Sequence, residues 1–425
     1  MAEKRTISIA VITALLTAIA TLLVLNLSIG DKQIDTRIEK VYSIDERQFS
    51  RTVGVILGPA LEDGNKVRAL VNGDEIFPRM LHAIRSAQRS VTLETYIFWS
   101  GTIGNQFVDA LVERARAGVR VHVLLDWIGG KLEEKQLDRM EENGVELRRY
   151  NTPNWYTLHR LNNRTHRKLL VVDGRIGFTG GVGISDSWRG NAQSPQHWRD
   201  THFEVEGPVV GQMQAAFIDN WMQATGEVLH GEPYLPALPP SGTLSAQMFT
   251  SSPGGGAESM QLMYLLSITS AARTIRLSAS YFIPDDVAVN SLVAALRRGV
   301  RVQVILPGHH LDRPSVRRAS RAEWGPLLRA GAEIYEYQPT MYHVKVMIVD
   351  ERWVSVGSTN FDARSFAIND EANLNVYDKD FAHRQIEIFE DDRKKSRRVT
   401  LAEWENREWS DKFLDFCASL LSSQL

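Results

Sequence analysis

The sequence predicts an α/β fold built as two similar sandwich halves related by a pseudo-twofold, with one transmembrane helix in front. Three observations carry that prediction. Four sequence blocks recur in the same order, strand-like runs alternate with amphipathic helices in each copy, and the N-terminal thirty residues stand apart as an apolar run.

The N-terminal element comes first. From Ile7 to Ile29 the run ISIAVITALLTAIATLLVLNLSI carries no charge over 23 residues, enough for a helix to cross about 30 Å of hydrocarbon. An uncleaved anchor over residues 1–30 is expected. The rival, a cleaved signal peptide, is disfavoured by the length of the apolar core and by the lack of a clear Ala-x-Ala site after it. Lys4 and Arg5 precede the run while Lys32, Arg37 and Lys40 follow it, so positive charge barely orients it. A short cytoplasmic N-terminus with the catalytic part outside is the arrangement taken.

The remainder of the 425 residues suits two domains of ordinary size. With 43% hydrophobic and 24% charged residues it is globular in composition. A net charge of -2 and a pI near 6.6 offer no global attraction to polyanions, so nucleic acid is not expected as a partner. The single cysteine, Cys417, excludes an intramolecular disulfide and a cysteine-rich metal site. It reads as a small buried residue of a C-terminal helix.

Residues Gly231 to Glu258 concentrate Pro, Gly and Ser and mark the boundary between halves, expected at 45–232 and 245–425. Leu244 to Phe249 reads as the first strand of the second half. Ser90-VTLETYIF then matches Thr274-IRLSASYF, two strand-like runs ending in aromatics. Ala110-LVERARAGVRVHVLL matches Ser291-LVAALRRGVRVQVIL, a helix ended by Gly118 or Gly299 and followed by a strand. Glu142-NGVELRRY parallels Ala330-GAEIYEY, and His166-RKLLVVD parallels His343-VKVMIVD. After Asp378 the chain reads as charged and helical, with Arg393 to Arg398 as a solvated helix face.

The last repeated block carries chemistry. His166 and Lys168, like His343 and Lys345, are two apart on a strand-like run and project to one face. Apolar neighbours (Leu169 to Val172; Val346 to Val349) place each polar pair at the end of a buried strand, where α/β sheets bind ligands. Asp173 and Asp350, at an odd offset before a turn, read as braces for the turn or for a neighbouring cation. One His-x-Lys would be an ordinary surface pair; two at equivalent places suit a phosphodiester. One imidazole attacks phosphorus to give a phosphohistidine, and the other protonates the departing oxygen and then deprotonates the incoming alcohol or water. The lysines and Asn360, assisted by Ser358, would hold the non-bridging oxygens. No metal or other cofactor is called for, and His197 and His202 lack a convincing third ligand. Each histidine needs a carboxylate on its other nitrogen, and a strand-like segment downstream of each motif offers one, Asp200 and Glu371.

These residues resemble the phospholipase D superfamily, whose signature is His-x-Lys-x4-Asp followed by Gly-Gly or Gly-Ser and Asn. The likeness runs from about Asn72 to Tyr377. His343, Lys345, Asp350, Gly357, Ser358 and Asn360 match in full; His166, Lys168, Asp173, Gly180 and Gly181 match the first copy, but Gly183 stands where Asn is frequent. The LETYIFWSG segment, the GGVGISDSW run to Trp188 and the N-terminal span look like bacterial cardiolipin synthases. The resemblance implies phospholipase D-like domains, His166 as nucleophile and His343 as general acid and base. It also implies transfer of a phosphatidyl group to the hydroxyl of a second phospholipid, phosphatidylglycerol as substrate, and a bacterial inner-membrane location. Hydrolysis to phosphatidic acid is the alternative and a nuclease the third reading. Trp155, Tyr156 and Leu158 beside His159, Arg160 and Arg164 would suit a headgroup interface or would simply pack on the domain.

Overall fold

The computed structural model describes residues 2–27, 36–153, 162–253 and 257–422. In the first half the main sheet is built from β1 (Glu62–Val71), β2 (Ser90–Thr95), β3 (Arg120–Asp126), β4 (Val145–Tyr150), β5 (Leu169–Val172), β6 (Ile176–Gly180) and β7 (Thr201–Glu206). The second half repeats them as β8 (Leu244–Ser251), β9 (Thr274–Ala279), β10 (Arg301–Pro307), β11 (Glu333–Tyr337), β12 (Lys345–Val349), β13 (Trp353–Gly357) and β14 (Asn369–Tyr377). The order outward from the middle is β1-β7-β6-β5-β2-β3-β4 on one side and β8-β14-β13-β12-β9-β10-β11 on the other. The two sequences of strands are the same, which is the expected pseudo-twofold.

Local chemistry explains the elements. The runs in β2, β3, β9 and β10 are buried on both faces and pair in parallel through helices Thr102–Arg116 and Asp286–Arg297. Each crossover helix gives way to a glycine with a left-handed backbone, Gly118 (φ 84°) and Gly299 (φ 90°). Nothing lies within 4 Å of a Cβ built at either position, so glycine is needed there for conformation, not for room.

The halves are not separate bodies. β1 pairs antiparallel with β8, matching Glu62 to Ala246 and Asn65 to Leu244, and one core cluster takes Leu169, Val171 and Phe203 from one half with Ile348, Val356 and Leu374 from the other. Helix Arg47–Ile56, placed by sequence at the start of the first half, sends Phe49 and Val53 into the second half's core beside Trp353. Burial of those apolar side chains overrides chain order.

Three other expectations meet the structure as follows. Helix Ala2–Leu27 contains a 20-residue stretch, Thr6–Leu25, long and apolar enough to cross a membrane, none of it buried. Cys417 is exposed, because its helix packs through a different face. The basic run at 393–398 is not one helical face. Helix Lys379–Lys394 ends within it and Ser396–Val399 becomes an edge strand, β15, on β11, with Arg397 reaching Glu336 at 2.6 Å. A four-residue strand is too short to show a period, and charge on an edge strand blocks further pairing.

Gly299→Ala is expected to lower stability by about 1 kcal/mol, the cost of a side chain in the left-handed region, read as a shift in denaturation midpoint with unchanged slope.

Candidate active site

The carboxyl ends of β2, β3, β9 and β10 and the amino ends of the antiparallel β5, β12 and β14 surround a cavity of about 570 Å³, and His166 and His343 both line it. Each histidine lies just ahead of its buried strand and is tied to the opposite half. The His166 backbone N–H donates to Asp370 O, and that of His343 to Arg199 O, both at 2.8 Å. The next residue on each acceptor strand supplies the carboxylate. His166 Nδ1 donates to Glu371 at 2.8 and 3.0 Å, and His343 Nδ1 to Asp200 Oδ2 at 2.8 Å. Sequence placed each acid downstream of one motif; folding delivers it to the histidine of the other.

An ionised carboxylate only accepts, so Nδ1 of each ring carries hydrogen and Nε2 keeps its lone pair. Burial would raise both acids, but the hydrogen bond from His343 with the charges of His343 and Lys345 holds Asp200 below its usual range. The charge and hydrogen bond of His166, with Lys168, do the same for Glu371. Burial pushes His166 down to about 4, with Glu371 opposing and Lys168 adding to the shift. His343 is lowered by burial and by Lys345, whose Nζ sits 3.2 and 3.3 Å from its ring nitrogens. Burial also lowers the lysines, Lys168 to about 7 and Lys345 to about 8.

The partners of this quartet are local. Lys168 Nζ donates to His166 O at 2.7 Å and lies 6.0 Å over the ring of Tyr96; Lys345 Nζ donates to His343 O at 2.9 Å and to Ser280 Oγ at 2.7 Å. Tyr96 and Ser280 are the residues immediately past β2 and β9, so one structural position serves each lysine. Ser280 Oγ also donates to Asn360 Oδ1 at 2.6 Å, which presents the amide NH2 as a donor in the cavity that Asn360 lines. Ser358 does not reach for phosphate: it is buried and donates to Glu371 Oε2. In the first half Gly181 occupies the corresponding place, and Trp188 Nε1 bonds Asp200 Oδ2 instead, at 3.0 Å. A Cβ at Gly181 would fall 2.4 Å from Asp200 Oδ1, which explains the second glycine of that motif. Gly183, where Asn was expected, packs against Ile97.

Asp173 and Asp350 lie outside the cavity. Asp173 accepts from the backbone N–H groups of Gln88, Arg89 and Ser90, and Asp350 from those of Ala272, Arg273 and Thr274. Both have left-handed backbones, φ 53° and 52°, and each carboxylate braces a turn onto the start of a parallel strand through amides, while the Arg273 guanidinium donates to the Asp350 carbonyl at 2.9 Å. Sequence reasoning gave no role to Tyr96, 5.6 Å from His166, or to Trp188 and Trp198, 5.2 and 5.4 Å from His343; the LETYIFWSG segment holding Tyr96 and the run ending at Trp188 carried a signal, and Trp198 had none. His202 is buried behind Gly180 and pushed by burial to about 3, while His197 bonds Ser194 at 2.8 Å. Among the described residues no three His, Cys, Asp or Glu side chains gather to hold a metal. Trp155, Tyr156, Leu158, His159 and Arg160 lie outside the described residues.

Two imidazoles of a duplicated fold, each bonded to a buried carboxylate and flanked by a lysine, thus meet at one cavity. Residues 80–221 and 264–393 match the family model described as "Cardiolipin synthase, PLD-like domain". The chain is 33% identical to the cardiolipin synthase of Alkalihalophilus pseudofirmus over 365 residues, covering 85% of this chain and 72% of that one. It is 34% identical to cardiolipin synthase A of Pseudomonas syringae pv. syringae, covering 81% and 72%. The phosphatidylserine synthase structure from Haemophilus influenzae shares the fold with a TM-score of 0.68 at 14% identity, over 88% of this chain and all of that one. The chain belongs to the cardiolipin synthase-like family of the phospholipase D superfamily and is a phosphatidyltransferase of that superfamily.

Gly181→Ala is expected to cut kcat/KM about 100-fold by displacing the Asp200 carboxylate, with a smaller effect on thermal unfolding. The pH profile of kcat/KM should show its acid limb shifted below pH 6.5 toward about 4, because His166 sheds its proton early. The alkaline limb should begin below the ordinary imidazole value of 6.5, where the free enzyme loses the proton of His343, and the lowered lysines, at about 7 and 8, should steepen the fall.

Proposed function

We propose that this enzyme moves a phosphatidyl group between phospholipids through a phosphohistidine, making cardiolipin from two molecules of phosphatidylglycerol. The observation that carries the reading is the crossed pairing of His166 with Glu371 and His343 with Asp200 at one cavity. On this reading two Nε2 atoms, one from each half (45–232 and 245–425), act on a single phosphate.

His166 Nε2 attacks phosphorus and the bond to the headgroup oxygen breaks, with the proton supplied by Nε2–H of His343. Glycerol leaves. The hydroxyl of the second lipid then gives its proton to His343 and attacks phosphorus, breaking the N–P bond and freeing His166. His166 is suited to the first role because burial keeps it neutral. The anionic phosphate favours the protonated form of His343 once substrate is bound. Lys168, Lys345 and Asn360 hold the non-bridging oxygens, Asp200 and Glu371 hold the rings, and Ser358 holds Glu371. Asp173 and Asp350 act through the turns they brace. The names of the relatives supply the lipid, and the apolar helix supports a bacterial inner-membrane setting.

The test is to incubate the purified chain with labelled phosphatidylglycerol in detergent, with and without glycerol, and identify products by mass. Cardiolipin plus glycerol, with added glycerol suppressing cardiolipin, is the expected result; phosphatidic acid as sole product would replace synthase by hydrolase. His166→Ala should abolish turnover and His343→Asn should accumulate an acid-labile phosphatidyl-enzyme. Full activity in His166→Ala, or loss on chelation reversed by a divalent metal, would overturn the mechanism.

A further inference from the structure

The N-terminal tether meets the body at the end of the sheet away from the cavity. Lys40 Nζ bonds Ala271 O at 3.3 Å and the Ile44 N–H bonds Ser270 O at 3.2 Å, just before β9 begins at Thr274. The cavity lies past the other end, at Ser280 and Tyr281, about 20 Å away for a six-residue strand. Holding a lipid-consuming cavity against a bilayer therefore calls for a contact of its own at that end.

Helix Trp409–Ser419 lies there. Its inner face carries Asp411, Asp415 and Ala418. Buried Asp415 pairs with Arg321 and Arg407 at 2.7 to 2.8 Å, and Ala418 packs on Val316 and Ala319 in a small cluster that Tyr281 joins. Tyr281 lines the cavity and donates to Asp312, which lines it too. On the opposite face, at helical spacing, stand Trp409 (78% exposed), Phe413 (53%), Phe416 (58%) and Leu420 (68%). Trp409 and Phe413 stack at 5.8 Å.

We propose that this face is a second membrane contact that dips into the headgroup region and sets the cavity mouth at the lipid surface. Lateral placement beside the cavity rim and an aromatic outer face over a salt-bridged inner one fit a bilayer interface. The choice of a bilayer as occupant rests on the reading that the substrate is a phospholipid. Trp409, Phe413, Phe416 and Leu420 enter the interface together and the inner carboxylates keep the helix fixed to the enzyme.

Cys417, the chain's one cysteine, is exposed on the flank of this helix and takes a nitroxide without any substitution. In the full chain reconstituted in phosphatidylglycerol-containing vesicles, the label should be relaxed more by oxygen than by a water-soluble nickel complex. A label relaxed mainly by the nickel complex would overturn the proposal, as would spin–spin broadening removed by diluting with unlabelled chain, which would make a second copy the occupant. The double variant Phe413→Glu, Phe416→Glu should lower the ratio of kcat/KM on vesicles to kcat/KM on a monomeric short-chain phospholipid about tenfold or more; an unchanged ratio counts against it. The depth reading needs no turnover, so a buried label on a chain that turns over no phospholipid would sink the functional reading and leave the membrane contact standing.

Discussion

Neither half of this chain can orient its own histidine. The imidazole of residue 166 is held by Glu371 and that of residue 343 by Asp200, so the geometry of the site exists only while the two halves are joined. The continuous sheet and the shared core cluster follow from that requirement. A hinge between the halves would move each ring away from its carboxylate. Backbone and side chain act together: the residue that accepts the histidine N–H, Asp370 in β14 or Arg199 just ahead of β7, is followed directly by the carboxylate.

Burial then does the electrostatic work. The same desolvation that keeps His166 neutral lowers Lys168 and Lys345 toward neutrality, and the two buried carboxylates are held ionised by hydrogen bonds from the histidines, from Thr201 and from Ser358 together with the nearby positive charge. Groups of both signs are thus packed around one cavity. Protonation states in such a site belong to the set of groups, so substrate binding and proton placement are linked.

The duplication is symmetric in its strands and asymmetric in its details. Asp200 is held by Trp188 and Glu371 by Ser358; Arg199, ahead of Asp200, is backed by Asp392 at 2.7 Å, while Asp370, ahead of Glu371, faces Arg167 at 3.8 Å. The two ends of the cavity therefore present different surroundings to otherwise equivalent imidazoles. The aromatic helix beside Tyr281 belongs to one side only, because it follows the second copy.

The repeated blocks, the paired His and Lys, the strand ends and the glycines after the crossover helices were all legible in the sequence by itself, because each depends on periodicity or backbone conformation within a few residues. The apolar N-terminal helix was legible for the same reason. Only the tertiary structure decided that the carboxylates cross between halves, that Ser358 serves Glu371, that Trp188 and Trp198 enclose His343, and that helix Arg47–Ile56 packs on the second half. Each of these is a contact between residues far apart in the chain or a choice among several buried partners, settled by burial and hydrogen-bond satisfaction in the folded core, where local pattern has no say.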